Sequence, residues 1–229
     1  MTEKVSTPSE SVENFLKAVY TLQDETEERV STNALADALG VKAPSVTDMA
    51  RRMEDAGLVN YEKYRGVLLT ETGKNIALKV IRRHRLIELY LVRELNYALH
   101  EVHDEAESLE HAVSDRFIEA LALKLDNPQV DPHGDPIPTA DGNIIVRDLI
   151  PLPELPVNQS AVVARLQAIN SEMLQYILDR DFHLDRPVKM LEHDPFDGPI
   201  TVEINGQKRV IGHNVARCIL VEPDNNRRP

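Results

Sequence analysis

Apolar residues recur at spacings of three and four through the first half of the chain, and in near-alternation through its last third. Phe15, Leu16, Val19, Tyr20 and Leu22 form one helical stripe. Further helices are predicted over 32–39 and about 44–56, with Gly40 and Val41 between them and Gly57 ending the second. Pro44 suits a first helical turn. Two short strands are expected over 58–61 and 67–70, around a tip at 63–66. The stretch 71–125 reads as helical, with apolar positions at Ile76, Val80, Ile81, Ile87, Leu91, Leu109, Val113, Phe117 and Leu121. A loop rich in proline, glycine and aspartate covers 127–142. Closely spaced prolines predict a semi-rigid linker over 149–157. Strands follow over 161–166, 188–192, 200–204, 209–212 and 218–221, interrupted by a helix over 171–178. The fold class expected is mostly α with a small barrel-like β domain. It divides into 1–75, 76–148, the linker 149–157, and 158–229.

The chain has 229 residues and is 42% hydrophobic, which supports packed cores. Its net charge of -12 argues against a protein that coats nucleic acid without selectivity. The charge is uneven, however. Lys79, Arg82, Arg83 and Arg85 form a basic cluster, and a run of carboxylates from Glu101 to Glu110 follows, interleaved with His100, His103 and His111. No apolar run is long enough to span a bilayer, so no membrane partner is expected. The polar, acidic N-terminus is unlike a secretory signal. One cysteine, Cys218, excludes an intrachain disulfide and fits a reducing cytoplasm.

The spacing from Leu35 through Gly40 to Val46, Met53 and Gly57 fits a winged helix-turn-helix, whose second helix enters a major groove. Val46, Ala50 and Met53 then face the core. Pro44, Ser45, Thr47, Asp48, Arg51 and Arg52 are the exposed reading positions, able to meet a thymine methyl, phosphates or base edges. Lys63, Tyr64 and Arg65 at the hairpin tip can touch backbone phosphate. Helix-turn-helix pairs also serve as protein-interaction modules, and spacing alone leaves that open.

His84 and Glu88 stand four residues apart and share a helix face. His103, Glu107, Glu110 and His111 lie along one face of another helix. Such carboxylates repel one another unless a cation offsets them. Imidazole and carboxylate donors without thiolate suit Mn(II) or Fe(II) better than a structural zinc. Asp131 and His133 form a further Asp-x-His candidate, with a proline-rich surface turn as the equal alternative. Glu172 stands on the helix of the last domain, where it could close a site from outside. A metal-dependent hydrolase or oxidase with a helical His/Glu site is the rival reading. It lacks a His-Glu-x-x-His motif, and no histidine has a glutamate three residues before it.

Three stretches carry a resemblance to a known family: Val46-Thr47-Asp48-Met49 with the hairpin 61–70; Arg83-His84-Arg85-Leu86-Ile87-Glu88 with 103–115; and Pro132-His133-Gly134-Asp135-Pro136-Ile137-Pro138. Together they resemble the diphtheria-toxin-repressor family of metal-dependent regulators, in its manganese-sensing branch. The resemblance implies a winged-helix domain, a helical dimerisation and metal domain, and a C-terminal SH3-like (FeoA-like) domain. It implies two metal sites per subunit, for Mn2+ or Fe2+. One is His84, Glu88 and His103, completed from the last domain where Glu172 stands. The other is Asn14, Glu107, Glu110 and His111. Iron-sensing members carry cysteine at the Glu107 position and methionine at the Asn14 position. A branch with a Cys-x-His loop has cysteine where Asp131 stands here. The function implied is a metal-activated repressor of metal-homeostasis genes, cytoplasmic and not an enzyme, acting as a homodimer on a palindromic double-stranded DNA operator.

Overall fold

The computed structural model describes residues 9–23 and 28–224; the first eight residues of the polar N-terminus lie outside these. The chain forms two compact units, one from 1–84, 110–113 and 138–143, the other from 85–109, 114–137 and 144–229.

In the first unit, α1 (Glu10–Leu22), α2 (Thr32–Leu39) and α3 (Ala43–Asp55) pack on a hairpin of β1 (Val59–Glu62) and β2 (Gly66–Leu69). The stripe on α1 is the reason for this packing. Phe15, Leu16 and Val19 are wholly buried against Leu35 of α2 and Val46 and Ala50 of α3. Each such side chain contributes roughly 1.5–3 kcal/mol on burial. Ser31 starts α2 by accepting the Ala34 N–H at 3.1 Å. Val30 extends the hairpin by pairing with Val67, exchanging hydrogen bonds of 2.8 and 2.9 Å. Gly66 makes that pairing possible. Its φ is 108°, and a Cβ there would fall 2.2 Å from the Val30 carbonyl oxygen.

Thr70 caps the start of α4 (Glu71–Leu95), accepting the Gly73 N–H at 3.2 Å. Residues of α4 to His84 belong to the first unit and those from Arg85 to the second. The helical stretch expected over 71–125 resolves into three helices: α4, α5 (Val102–Glu110) and α6 (Asp115–Lys124). Asn96 ends α4 in the left-handed conformation, φ 58°, a role asparagine can take in place of glycine. Ser114 caps α6 by accepting the Phe117 N–H at 3.2 Å.

The rest of the second unit is a six-stranded antiparallel sheet with α7 (Ser171–Leu178) packed beside it. Its strands are β3 (Ile150–Pro151), β4 (Ser160–Leu166), β5 (Pro187–His193), β6 (Ile200–Ile204), β7 (Gln207–Ile211) and β8 (Ile219–Pro223), in the order β3-β8-β4-β5-β6-β7. A short helix, α8 (His213–Ala216), joins the last two strands. The linker expected over 149–157 is a correction. Ile150 and Pro151 pair with β8, and Leu152 and Leu155 are wholly buried in the domain core. Their apolar side chains outweigh the extended preference of the surrounding prolines. Among the described residues no helix is long and apolar enough to cross a membrane.

Candidate metal centre and nucleic-acid interface

The first unit gathers polar groups from three helices around Glu110, the last residue of α5, which is wholly buried. Both Glu110 carboxylate oxygens accept from the Lys17 ammonium of α1, at 2.8 and 2.9 Å. His84 of α4 places Nδ1 2.6 Å from Glu110 Oε2. His111 holds Nδ1 2.6 Å from Glu13 Oε2 and Nε2 2.7 Å from the Asn14 side-chain oxygen, with Glu110 Oε1 at 3.3 Å. Arg83 donates to the other oxygen of Glu13 at 3.2 Å. A carboxylate on one imidazole nitrogen orients the ring and selects the tautomer that leaves the opposite nitrogen free to coordinate. Here Glu13 is that carboxylate, and Nε2 is the nitrogen turned towards Asn14 and Glu110. Asn14, Glu110 and His111 therefore converge as one amide oxygen, one carboxylate and one imidazole nitrogen. This oxygen and nitrogen set fits Mn(II) or Fe(II). Glu107 stands half-buried one turn earlier on α5.

The second unit holds another cluster. Glu88 of α4 is buried and extends one oxygen to each of two histidines: Oε1 lies 3.5 Å from His103 Nδ1, and Oε2 lies 3.7 Å from His133 Nδ1. Ligand atoms of Glu88, Asp131 and His133 all fall within 4.8 Å of one another. Asp131 is held by its own turn, where Oδ1 accepts the N–H groups of His133 and Asp135 at 2.8 and 2.9 Å. Burial, then the charges of Asp135 and Glu88, push the Asp131 carboxyl up to about 7. Burial pulls the His133 imidazole down, but the facing Glu88 carboxylate and the charges of Asp131 and Asp135 outweigh that and leave it raised. A site that raises a carboxylate and an imidazole together has surplus negative charge, which a divalent ion would neutralise.

The last domain holds this loop by its backbone. Leu166 of β4 donates its N–H to the His133 carbonyl at 2.8 Å, and Arg165 pairs with Asp135. Gly134, at φ 90°, passes so close that a Cβ would lie 2.2 Å from the Ala164 carbonyl oxygen. The pairing of β4 with β8 shifts register between Val163 and Arg165, beside this contact.

On α3, Val46, Ala50 and Met53 are buried, while Pro44, Ser45, Asp48, Arg51 and Arg52 are exposed. Thr47 is half-buried and returns its hydroxyl to the Ala43 carbonyl at 3.2 Å. At the hairpin tip Lys63, Tyr64 and Arg65 are all exposed. Arg65 donates to Glu62 at 2.7 Å, and Glu62 also takes Arg29. The tip therefore presents less free positive charge than its sequence implies.

Asn14, Glu110 and His111 come together within the first unit. Glu88, His103, Asp131 and His133 come together within the second. Glu172 lies exposed on α7 and is in none of the donor clusters among the described residues. Glu13, Lys17 and Arg83 escape the sequence reading. Their signal is faint: Glu13 and Lys17 stand one turn apart on α1, flanking its apolar stripe and Asn14.

Residues 8–67 match the family described as iron dependent repressor, N-terminal DNA binding domain. Residues 70–139 match iron dependent repressor, metal binding and dimerisation domain, and residues 150–223 match the FeoA domain. The chain is 30% identical to the iron-dependent repressor IdeR of Mycobacterium tuberculosis, over 93% of this chain and 97% of that one. It is 27% identical to the diphtheria toxin repressor of Corynebacterium diphtheriae, again over 93% of this chain and 97% of that one. Among solved structures, a manganese-dependent transcriptional repressor in complex with manganese superposes with a TM-score of 0.84 and 39% identity, over 93% of this chain and 99% of that one. ScaR with bound Cd2+ gives a TM-score of 0.75 and 33% identity, over 94% of this chain and 99% of that one.

Proposed function

Because the chain belongs to the diphtheria-toxin-repressor family of metal-dependent, DNA-binding transcriptional repressors, we propose that it represses metal-homeostasis genes as a homodimer when Mn(II) or Fe(II) is bound. The family is one of repressors and not enzymes, so the hydrolase or oxidase alternative is set aside.

One proposed ligand set is Asn14, Glu107, Glu110 and His111. A second centres on Glu88, with His84 one turn before it on α4 and with His103, Asp131 and His133. The reading carried over from the resemblance had Glu172 complete this second set; its exposed place on α7 gives it no support. Manganese is favoured over iron in this reading because no thiolate accompanies either set, and because a neighbour at 39% identity is described as manganese-dependent.

The observation that carries the reading is the meeting of α1 and α5: Asn14 from the DNA-binding segment faces His111 and the buried Glu110 from the end of α5. A divalent ion there supplies positive charge shared by donors on both helices. The chain's own groups do the rest. Glu13 orients His111, Glu110 lies wholly buried beside that ring, and α1 carries the constraint to α3 through the shared apolar core. Fixing α1 fixes the pose of α3, and on a two-fold dimer two such helices can meet major-groove segments one helical turn apart on a palindromic operator. Pro44, Ser45, Thr47, Asp48, Arg51 and Arg52 then read or hold the duplex, with Lys63, Tyr64 and Arg65 against its backbone.

An anaerobic titration of a labelled palindromic duplex, with Mn(II), Fe(II) and Zn(II) in parallel, tests the proposal. Mn(II) or Fe(II) should tighten binding at least tenfold and a chelator should reverse it. Equal binding with chelator and with metal sinks the proposal.

A further inference from the structure

We propose that Lys17 is a resident cation of the Glu110 cluster. Its ammonium fills the position beside both Glu110 and His84, so that Glu110 shares a divalent ion on its His111 side alone. This rests on the metal reading above and deepens it: it concerns how many ions Glu110 can hold and what sets their threshold.

The Lys17 ammonium donates to both oxygens of Glu110, at 2.8 and 2.9 Å, and stands 3.3 Å from His84 Nδ1. It is largely enclosed, at 16% side-chain exposure against 0% for Glu110. Glu110 also has an imidazole on each side, His84 at 2.6 Å from Oε2 and His111 Nε2 at 3.3 Å from Oε1. A carboxylate flanked in this way has the arrangement of a group bridging two cations. One of those cations is covalently part of α1. A wholly buried carboxylate requires a partner, and Lys17 is one that no change in metal supply can remove. An ammonium has three donors and no lone pair, so it cannot ligate. It excludes an ion from its own position by volume and repels one beside it by charge.

Side-chain length makes the idea testable. A glutamate at 17 would put its carboxylate oxygens near where the Lys17 Cε stands. An ion about 2.2 Å beyond such an oxygen falls close to the ammonium position. Lys17→Glu should therefore open the position that Lys17 fills.

The test uses the full-length chain with Lys17, Lys17→Met and Lys17→Glu. Each carries Glu88→Gln, so that the second donor cluster contributes no ion pair. The samples are equilibrated with Mn(II) alone. Bound manganese is counted by native mass spectrometry, and low-temperature electron paramagnetic resonance reads exchange coupling between ions that share Glu110. The Lys17 protein should show isolated Mn(II) and no coupled pair. Lys17→Glu should gain one ion per chain with a coupled signal. Lys17→Met should keep the parent count and bind Mn(II) several-fold more tightly. A coupled pair in the Lys17 protein overturns the inference, as does a folded, dimeric Lys17→Glu with no added ion. The Lys17 and Lys17→Met samples decide the matter if Lys17→Glu does not fold. No Mn(II) on the Lys17 protein at all would remove the metal reading itself, and this inference with it.

Discussion

Glu13 acts on the site through another residue. It is 4% exposed, and its two oxygens take His111 and Arg83, so its charge serves to hold the imidazole at the right angle. Losing a carboxylate that orients a ligating histidine typically costs 10–100-fold in metal affinity. Glu13→Gln should weaken Mn(II) binding by about that factor while circular dichroism and dimerisation stay unchanged; unaltered affinity by calorimetry would contradict the role. Asp131 gives a pH dependence. Its carboxyl is raised from an ordinary 3.8 to about 7, first by burial and then by Asp135 and Glu88. The folded protein thus holds the proton more firmly than the unfolded chain. The stability this lends is whole below about pH 4 and is lost as the pH climbs through about 7. An ion at this cluster must displace that proton, so Mn(II) affinity there should rise by up to about tenfold per pH unit below 7 and level off above it. Asp131→Asn should flatten that slope, as followed by Mn(II) titration between pH 5.5 and 8.5. A profile as steep as the parent's would show that another group controls it.

At the level of elements, the loop 131–135 and β4 behave as one piece. Gly134 has φ 90° and no space for a Cβ beside Ala164. Gly134→Ala should cost about 1–3 kcal/mol and speed proteolysis near β4, while the hairpin β1–β2 stays intact. Unchanged melting and cleavage would mean that the loop yields easily. The reading helix α3 supports a different measurement. Arg51 and Arg52 are exposed with no core to fill. If each meets a phosphate, its replacement by alanine should lower the salt dependence of operator binding by about one unit in the log–log slope. An identical slope would remove that arginine from the interface. Much of this was legible in the sequence. Helix periodicity located α1 and α3, and the Ala43-Pro44-Ser45 start placed α3 to within a residue. The exact helix ends at Asn96 and Ser114 carry no glycine or proline signal, because each is made by a single asparagine or serine. The segment 149–157 was misread because local proline preference says nothing of Leu152 and Leu155 being drawn into a core formed by strands far along the chain.

For the whole molecule, the donor clusters were half legible. Spacing placed Glu107 and Glu110 on one face of α5 with His111 just past its end, and Glu88 one turn after His84 on α4. No period along one helix could show that Asn14 of α1 meets His111, or that Glu88 reaches across to His133. Those contacts come from tertiary packing, and so does the burial that makes Glu110 a site and not a solvated charge. The central claim is that metal binding and operator binding are one linked equilibrium. Linkage requires each ligand to change the affinity of the other by the same factor. The most direct measurement is Mn(II) affinity for the full-length chain, with and without a saturating palindromic duplex. If Mn(II) tightens the duplex tenfold or more, the duplex must tighten Mn(II) by that same factor, and the gain must vanish in His111→Ala. Manganese bound with equal affinity in both samples would contradict the account.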